Sequence, residues 1–203
     1  MTREELTARL AGRSPGLAGL RGENAVLVPV VEGEAGRLSL LFEVRADTLN
    51  SQPGEVCFPG GRVEPGETPL AAALRETGEE LGVTVTRTDV LAPLDRLLHQ
   101  SGYLLHPFLA VLPLSRVENL RPNPPEVKET FMVPLDFFRT TQPEVYHYAL
   151  RPDVPENFPY DRIGFPHGYR WKSGQAEVPI WNWEGHSIWG ITGRVVKALV
   201  ALL

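Results

Sequence analysis

The chain is nearly devoid of cysteine: Cys57 is the only one in 203 residues. A single thiol excludes an internal disulfide and fits a reducing compartment. Also missing is any apolar run of the ~18 residues needed to cross a membrane. The opening stretch, Met1 to Leu10, reads as a short polar helix without the apolar region of a secretory signal. These absences lead to the expectation of a cytoplasmic protein with no membrane partner. Nor is positive charge in excess, since 20 Lys and Arg stand against 25 Asp and Glu for a net charge of −5. Without a basic stripe the chain is not expected to bind duplex nucleic acid, although a short nucleotide stays open. Repeats and low-complexity tracts are absent as well.

What is present suits a single enzyme domain over residues 1–203, long enough to bury roughly 70% of its unfolded surface. Residues 23–31 and 37–45 read as two strands joined by a Gly/Glu turn, a hairpin. Val56 to Phe58 suits a brief strand, Thr84 to Leu91 another, and Tyr103 to Leu112 the best single strand. Phe131 to Val133 begins a strand that ends at Pro134, and Leu135 to Phe138 looks like a helical turn. From His186 to Leu203, Ile188, Ile191, Val195, Leu199 and Leu202 keep helical register. Most of the prolines follow Pro93, so that half is expected to be rich in turns. Strands, a helix, then more strands suggest an α/β fold, a mixed sheet with helices on its faces.

The chemistry concentrates between Gly61 and Val83. Glu76, Glu79 and Glu80 fall within one turn of a helix, where neighbouring carboxylates repel unless a cation joins them. Oxygen ligands of this kind select a hard ion, Mg²⁺ or Mn²⁺, commonly used to bridge to phosphate oxygens. On a helical wheel Leu70, Leu74, Thr77 and Leu81 share one stripe and the glutamates another. Arg75 stands four residues before Glu79, positioned to hold that carboxylate and orient it without binding the metal. Pro69 suits the first turn of this helix and Gly82 its end. Gly78 sits inside it at about 1 kcal/mol against alanine, which is read as room for another backbone to come close. Three histidines, His99, His106 and His147, show no ligand spacing and read as ordinary.

Gly61, Glu67, Arg75, Glu76, Glu79, Glu80, Gly82 and Val83 together resemble the Nudix box, with Thr77 where that pattern has an aliphatic residue. The resemblance implies an α/β/α sandwich with a mixed sheet and hydrolysis of a nucleoside diphosphate derivative by a metal-activated water. It implies Glu76, Glu79, Glu80 and the Gly61 carbonyl as metal ligands, with Glu79 also a candidate base. In some members a loop acid activates water, which makes Glu129 of the stretch Pro125 to Phe131 a second candidate base, with Glu126 in the same loop. Sheet pairing is common in the implied fold, so a homodimer is a fair expectation.

A second motif precedes the box. Arg45, Ala46, Gly54 and the run Phe58-Pro59-Gly60-Gly61 resemble the extra motif of coenzyme A pyrophosphatases within that family, and Trp189 to Arg194 resembles a later segment. Packing in a core helix is the expected use of Trp189. Asn50 departs from the motif, which has an arginine there. The resemblance implies cleavage of coenzyme A or its derivatives to 3′,5′-ADP and 4′-phosphopantetheine, with Arg45, Phe58, Gly60 and Arg62 toward the substrate. Two alternatives stay open: a Nudix pyrophosphatase for another substrate such as ADP-ribose or NADH, and a non-catalytic nucleotide-binding module. The intact acidic triplet weighs against the second.

Overall fold

The computed structural model describes residues 1–203. In chain order it runs α1 (Arg3–Leu10), β1 (Gly22–Glu32), β2 (Leu38–Arg45), β3 (Val56–Cys57), β4 (Gly60–Arg62), α2 (Pro69–Leu81), β5 (Val90–Pro93), β6 (Leu97–Leu98), β7 (Tyr103–Pro113), α3 (Leu114–Val117), β8 (Val127–Pro134), α4 (Leu135–Thr140), β9 (Glu144–Leu150), β10 (Gly174–Trp183), β11 (His186–Ile188) and α5 (Gly190–Val200). The main sheet is mixed. β1 lies parallel to β7 along its whole length, and its other edge is shared by β2, opposite Val30 to Glu32, and by β4, opposite Asn24 to Val26. β2 diverges from β1 past Leu40, and its far end pairs with β3 on one edge while β8 follows it on the other.

Strand alternation divides the core into two layers. On one face Leu27, Val31 and Leu41 pack with Leu81 of α2 and with Ala110 and Leu112 of β7. On the other, Val28, Val30, Leu40, Phe42 and Val44 pack with Phe138 of α4 and with Val195, Val196 and Leu199 of α5. The antiparallel sheet β9-β10-β11 lies on this second side, its Trp181 and Ile188 buried in the same cluster. Helix, sheet and helix thus form the three layers expected of an α/β/α sandwich.

Several elements differ from the sequence reading. Residues 84–91 hold no full strand: an aspartate-capped 3₁₀ turn at Arg87–Asp89 interrupts them, because the Asp89 carboxylate accepts from the Thr86 backbone at 2.7 Å. The stretch expected to be helical from His186 divides into β11 and α5, with Trp189 between them and Gly190, at φ +61°, opening the helix. Trp189 is 43% exposed at the start of α5 and does not pack the core as expected. Gly193 does the packing there: a Cβ on it would stand 2.7 Å from the Pro179 carbonyl, so its bareness lets α5 close onto β10. Gly78 has ordinary room for a side chain, its nearest neighbour being the Val83 carbonyl at 3.6 Å, and no close backbone approach requires it.

Candidate active site

Helix α2 begins and ends on the residues expected of it. Thr68 caps it by accepting from the Ala71 N–H at 3.2 Å, Pro69 fills its first turn, and Gly82 closes it in the left-handed conformation at φ 63°. Ala72, Ala73, Thr77 and Leu81 are buried against the sheet, and the Thr77 hydroxyl is satisfied by donating to the Ala73 carbonyl at 2.7 Å. The glutamates do not share one environment. Glu79 is exposed, Glu76 is half-buried, and Glu80, on the last turn before the glycine cap, is buried.

Arg75 ties the acids together. Its guanidinium forks onto Glu67, with Nε to Oε1 at 3.0 Å and Nη2 to Oε2 at 3.1 Å. Nη1 reaches Glu76 at 2.8 Å and Glu79 at 3.1 Å. The planar fork is suited to such multiple acceptance. The hydrogen bond from Arg75 holds the Glu67 carboxyl below its ordinary range. One arginine therefore fixes three carboxylates, including the i+4 contact expected from spacing.

The glycine strand β4 fits directly against this helix. Gly60, at φ 151°, runs so near β1 that a Cβ would lie 2.2 Å from the Ala25 carbonyl. Its N–H donates to Glu80 Oε2 at 2.7 Å, which ties β4 to α2. A Cβ on Gly61 would come within 2.5 Å of the Glu76 carboxyl carbon. Gly60 is bare because β1 occupies the space of its side chain, and Gly61 because the Glu76 carboxylate does.

Two acids that the sequence reading passed over or left unassigned complete the cluster. Glu43, on β2, alternates with Leu41 and so faces α2; only 1% of it is exposed. Cys57, its opposite number on β3, donates its thiol to Glu43 Oε1 at 3.2 Å, whereas Glu43 Oε2 is buried with no partner. Burial pushes the Glu43 carboxyl up to about 7, and burial with the neighbouring charge of Glu43 pushes Glu80 up to about 9. Burial and Glu43 also raise the Cys57 thiol. Glu126 is close enough to add to the repulsion at both Glu43 and Glu80. The signal for Glu43 was one carboxylate set inside the apolar run Leu40 to Val44.

Glu129 is not brought to this cluster. β8 starts at Val127, earlier than expected, so Glu129 lies within a strand opposite Val44. Paired residues of antiparallel strands share a face, which sets Glu129 with Val44 on the side away from α2. There it approaches His186 Nε2 at 3.4 Å. Phe58 is 3% exposed and stacked on Phe42 with ring centroids 4.7 Å apart. It backs the adjoining cavity as a core residue.

That cavity, of about 340 Å³, lies on the other side of Gly60 and Gly61 and is closed by Ile191 and Thr192 of α5. Arg45 and Arg62 line it without any carboxylate partner, Arg45 being anchored by Nε to the Ser51 carbonyl at 3.3 Å. An acidic cluster and two free guanidinium groups thus flank a wall of bare backbone. The arrangement suits a cation on one side and phosphate oxygens on the other.

The donor set fits a hard divalent ion, being all carboxylate and backbone oxygen, with Glu43 Oε2 orphaned and, among the close-set Glu43, Glu76, Glu80 and Glu126, only Glu76 ion-paired, to Arg75. No three acidic, histidine or cysteine side chains converge on one point as a ready cage. Arg75 draws Glu76 and Glu79 toward itself, so side-chain rotation must accompany loading of an ion.

A family model described as the NUDIX domain matches residues 22–153. The chain is 41% identical over 180 residues to the peroxisomal coenzyme A diphosphatase NUDT7 of Mus musculus, covering 88% of this chain and 69% of the relative. It is 31% identical over 196 residues to the mitochondrial coenzyme A diphosphatase NUDT8 of Homo sapiens, covering 96% of this chain and 75% of the relative. A MutT/nudix family protein from Enterococcus faecalis superposes with a TM-score of 0.53 at 16% identity, covering 100% of this chain and 70% of that one, a likeness of fold. The relatives' names place them in two different organelles, so this reaction is not tied to one compartment. No helix is long and apolar enough to cross a membrane.

Proposed function

Because the chain belongs to the Nudix family, we propose that it hydrolyses the diphosphate bond of coenzyme A or its derivatives, giving 3′,5′-ADP and 4′-phosphopantetheine. The observation that carries this reading is the 41% identity, over 88% of the chain, to a relative named as a coenzyme A diphosphatase. Residues 1–203 act as one domain, since α5 and β10, beyond the matched segment, close the same core.

Nudix hydrolases in general need a divalent metal ion. Mg²⁺ or Mn²⁺ is the choice favoured by the carboxylate donors. Glu76 and Glu80 hold it, with Glu43, Glu79 and the Gly61 carbonyl as further oxygen donors. When bound, such an ion supplies charge neutralisation and a more acidic water. Arg75 orients Glu76 and Glu79. Arg45 and Arg62 pair with the diphosphate oxygens from the cavity side. Water attacks one phosphorus, the bond to the bridging oxygen breaks, and the second phosphate leaves with that oxygen. The proton passes to a carboxylate of the cluster.

The base is assigned among the acids on α2 and those facing it. Glu79 is one candidate, and Glu126 takes the place that sequence reasoning gave to Glu129. Glu126→Gln is expected to lower kcat by about 10²-fold or more, while Glu129→Gln retains the wild-type rate in the same assay of phosphate-ester product. Equal rates for the two variants would remove Glu126 from catalysis.

A second reading, cleavage of ADP-ribose or NADH, is favoured by Asn50, which is exposed and offers no cation where the coenzyme A motif has arginine. Turnover of coenzyme A, ADP-ribose, NADH and diadenosine polyphosphates with each metal decides between them, and a preference for ADP-ribose would overturn the first.

A further inference from the structure

The cavity beside Gly61 continues into a second one of about 450 Å³. The two share Asn24, Gln52, Arg62, Leu105 and Ile191, so a ligand can extend from one to the other. The second cavity has no acidic residue in its wall, although the whole chain carries more acidic than basic residues. Its polar lining instead offers donors: the Arg62 guanidinium, the Ser51 and Tyr103 hydroxyls and the His99 ring.

The hairpin between β6 and β7 fixes that ring. The His99 N–H donates to the Tyr103 carbonyl at 2.8 Å, and the Gly102 N–H to the His99 carbonyl at 2.9 Å. The Ser101 backbone N–H donates to His99 Nδ1 at 3.3 Å. The Ser101 hydroxyl also meets Nδ1, at 2.5 Å; with Nδ1 accepting from both Ser101 groups, the ring proton is placed on Nε2. Burial, helped by the charge of Arg194, holds His99 below its ordinary value, so the ring presents a neutral donor at neutral pH. Arg194, on α5, forms no ion pair and borders the adjoining hollow on the other side of His99.

We propose that this second cavity is a subsite for a phosphomonoester on the substrate's ribose, held by Arg62, His99 Nε2, Tyr103 and Ser51 while the diphosphate lies at Gly61. In coenzyme A that group is the 3′-phosphate, so the proposal rests on the coenzyme A reading for its substrate. It also accounts for how a chain with Asn50 in place of an arginine retains a cation for a third phosphate: Arg62 of β4 supplies it, and the β6–β7 turn adds a neutral donor.

The test is a binding measurement that needs no turnover. Adenosine 3′,5′-bisphosphate, adenosine 2′,5′-bisphosphate and AMP are titrated calorimetrically into the full chain, wild type and the double variant His99→Ala, Tyr103→Phe. The wild type is expected to bind the 3′,5′-bisphosphate about tenfold or more tightly than AMP, a gap carried by charge-assisted contacts. In the double variant that gap closes while AMP affinity stays the same, which also shows the variant is folded. Equal wild-type affinity for AMP and the bisphosphate, or an undiminished gap in the variant, overturns the subsite. Tighter binding of the 2′,5′-isomer overturns the 3′ assignment. Failure to cleave coenzyme A would refute the function alone, because the binding gap is read separately.

Discussion

At Glu43 a carboxylate occupies a strand position whose neighbours on the same face are core side chains. Burial and mutual repulsion with Glu80 disfavour its charge, a cost that a purely structural position would not retain. Glu43→Gln keeps the shape and removes the charge. In the absence of divalent ions this variant is therefore expected to melt above the wild type, while kcat/KM falls about 10–100-fold, the range for groups that support a metal site. Thermal denaturation in chelator and steady-state kinetics check the two halves. A fall in both would mean that Glu43 serves packing only. The box acids were legible in the sequence because helical spacing alone brings them together. Glu43 was not, because what makes it functional is the strand register that sets it beside Cys57 and opposite α2. Glu129 reads as a loop residue for the same reason: a start of β8 four residues earlier than Phe131 puts it in the strand, on the face of Val44.

Elements were readable where local chemistry sets their ends. Helix α2 follows its capping threonine, its proline and its terminal glycine, and the β1–β2 hairpin follows its turn. Sequence reasoning failed where a polar side chain or a distant partner decides. β9 and β10 pair with each other, yet β9 has mostly exposed residues and so lacks the alternation by which a strand is recognised. Within α2, Gly78 is a departure from helix propensity with no steric reason behind it. Gly78→Ala is expected to raise stability by up to about 1 kcal/mol, seen in urea unfolding as a higher midpoint with an unchanged slope. The turn ahead of β5 carries a pH-dependent link: Asp89 accepts from Thr86 and pairs with Arg116 of α3 at 2.7 Å. Burial alone would raise its carboxyl, but the Thr86 donors and Arg116 outweigh burial and hold it below its ordinary value. A depressed acid contributes stability above its unfolded value, about pH 4, and loses it as pH falls through the lower folded value. Asp89→Asn should thus be less stable than the wild type at neutral pH, with the difference vanishing on acidification. A difference that persists unchanged to pH 2 would show that the ion pair contributes nothing.

For the molecule as a whole, the three layers meet at a site where α2, β2 and the turn ahead of β8 all deliver acids. Their repulsion opposes the fold that brings them together, so loading a divalent ion and folding are linked. An ion that binds only the folded chain stabilises it by about 2.7 kcal/mol at a hundred times its dissociation constant. Protons compete for the same oxygens: burial and the charge of Glu43 raise the Glu80 carboxyl to about 9, so near neutral pH it holds a proton that the ion must displace. The stabilisation should consequently grow with pH, being small at pH 5 and larger at pH 8. Melting temperatures measured with Mg²⁺, with Mn²⁺ and with chelator at the two pH values test this. A gain that is the same at both, or that survives Glu80→Gln undiminished, would place the ion somewhere other than among these carboxylates, and with it the phosphates it is meant to face.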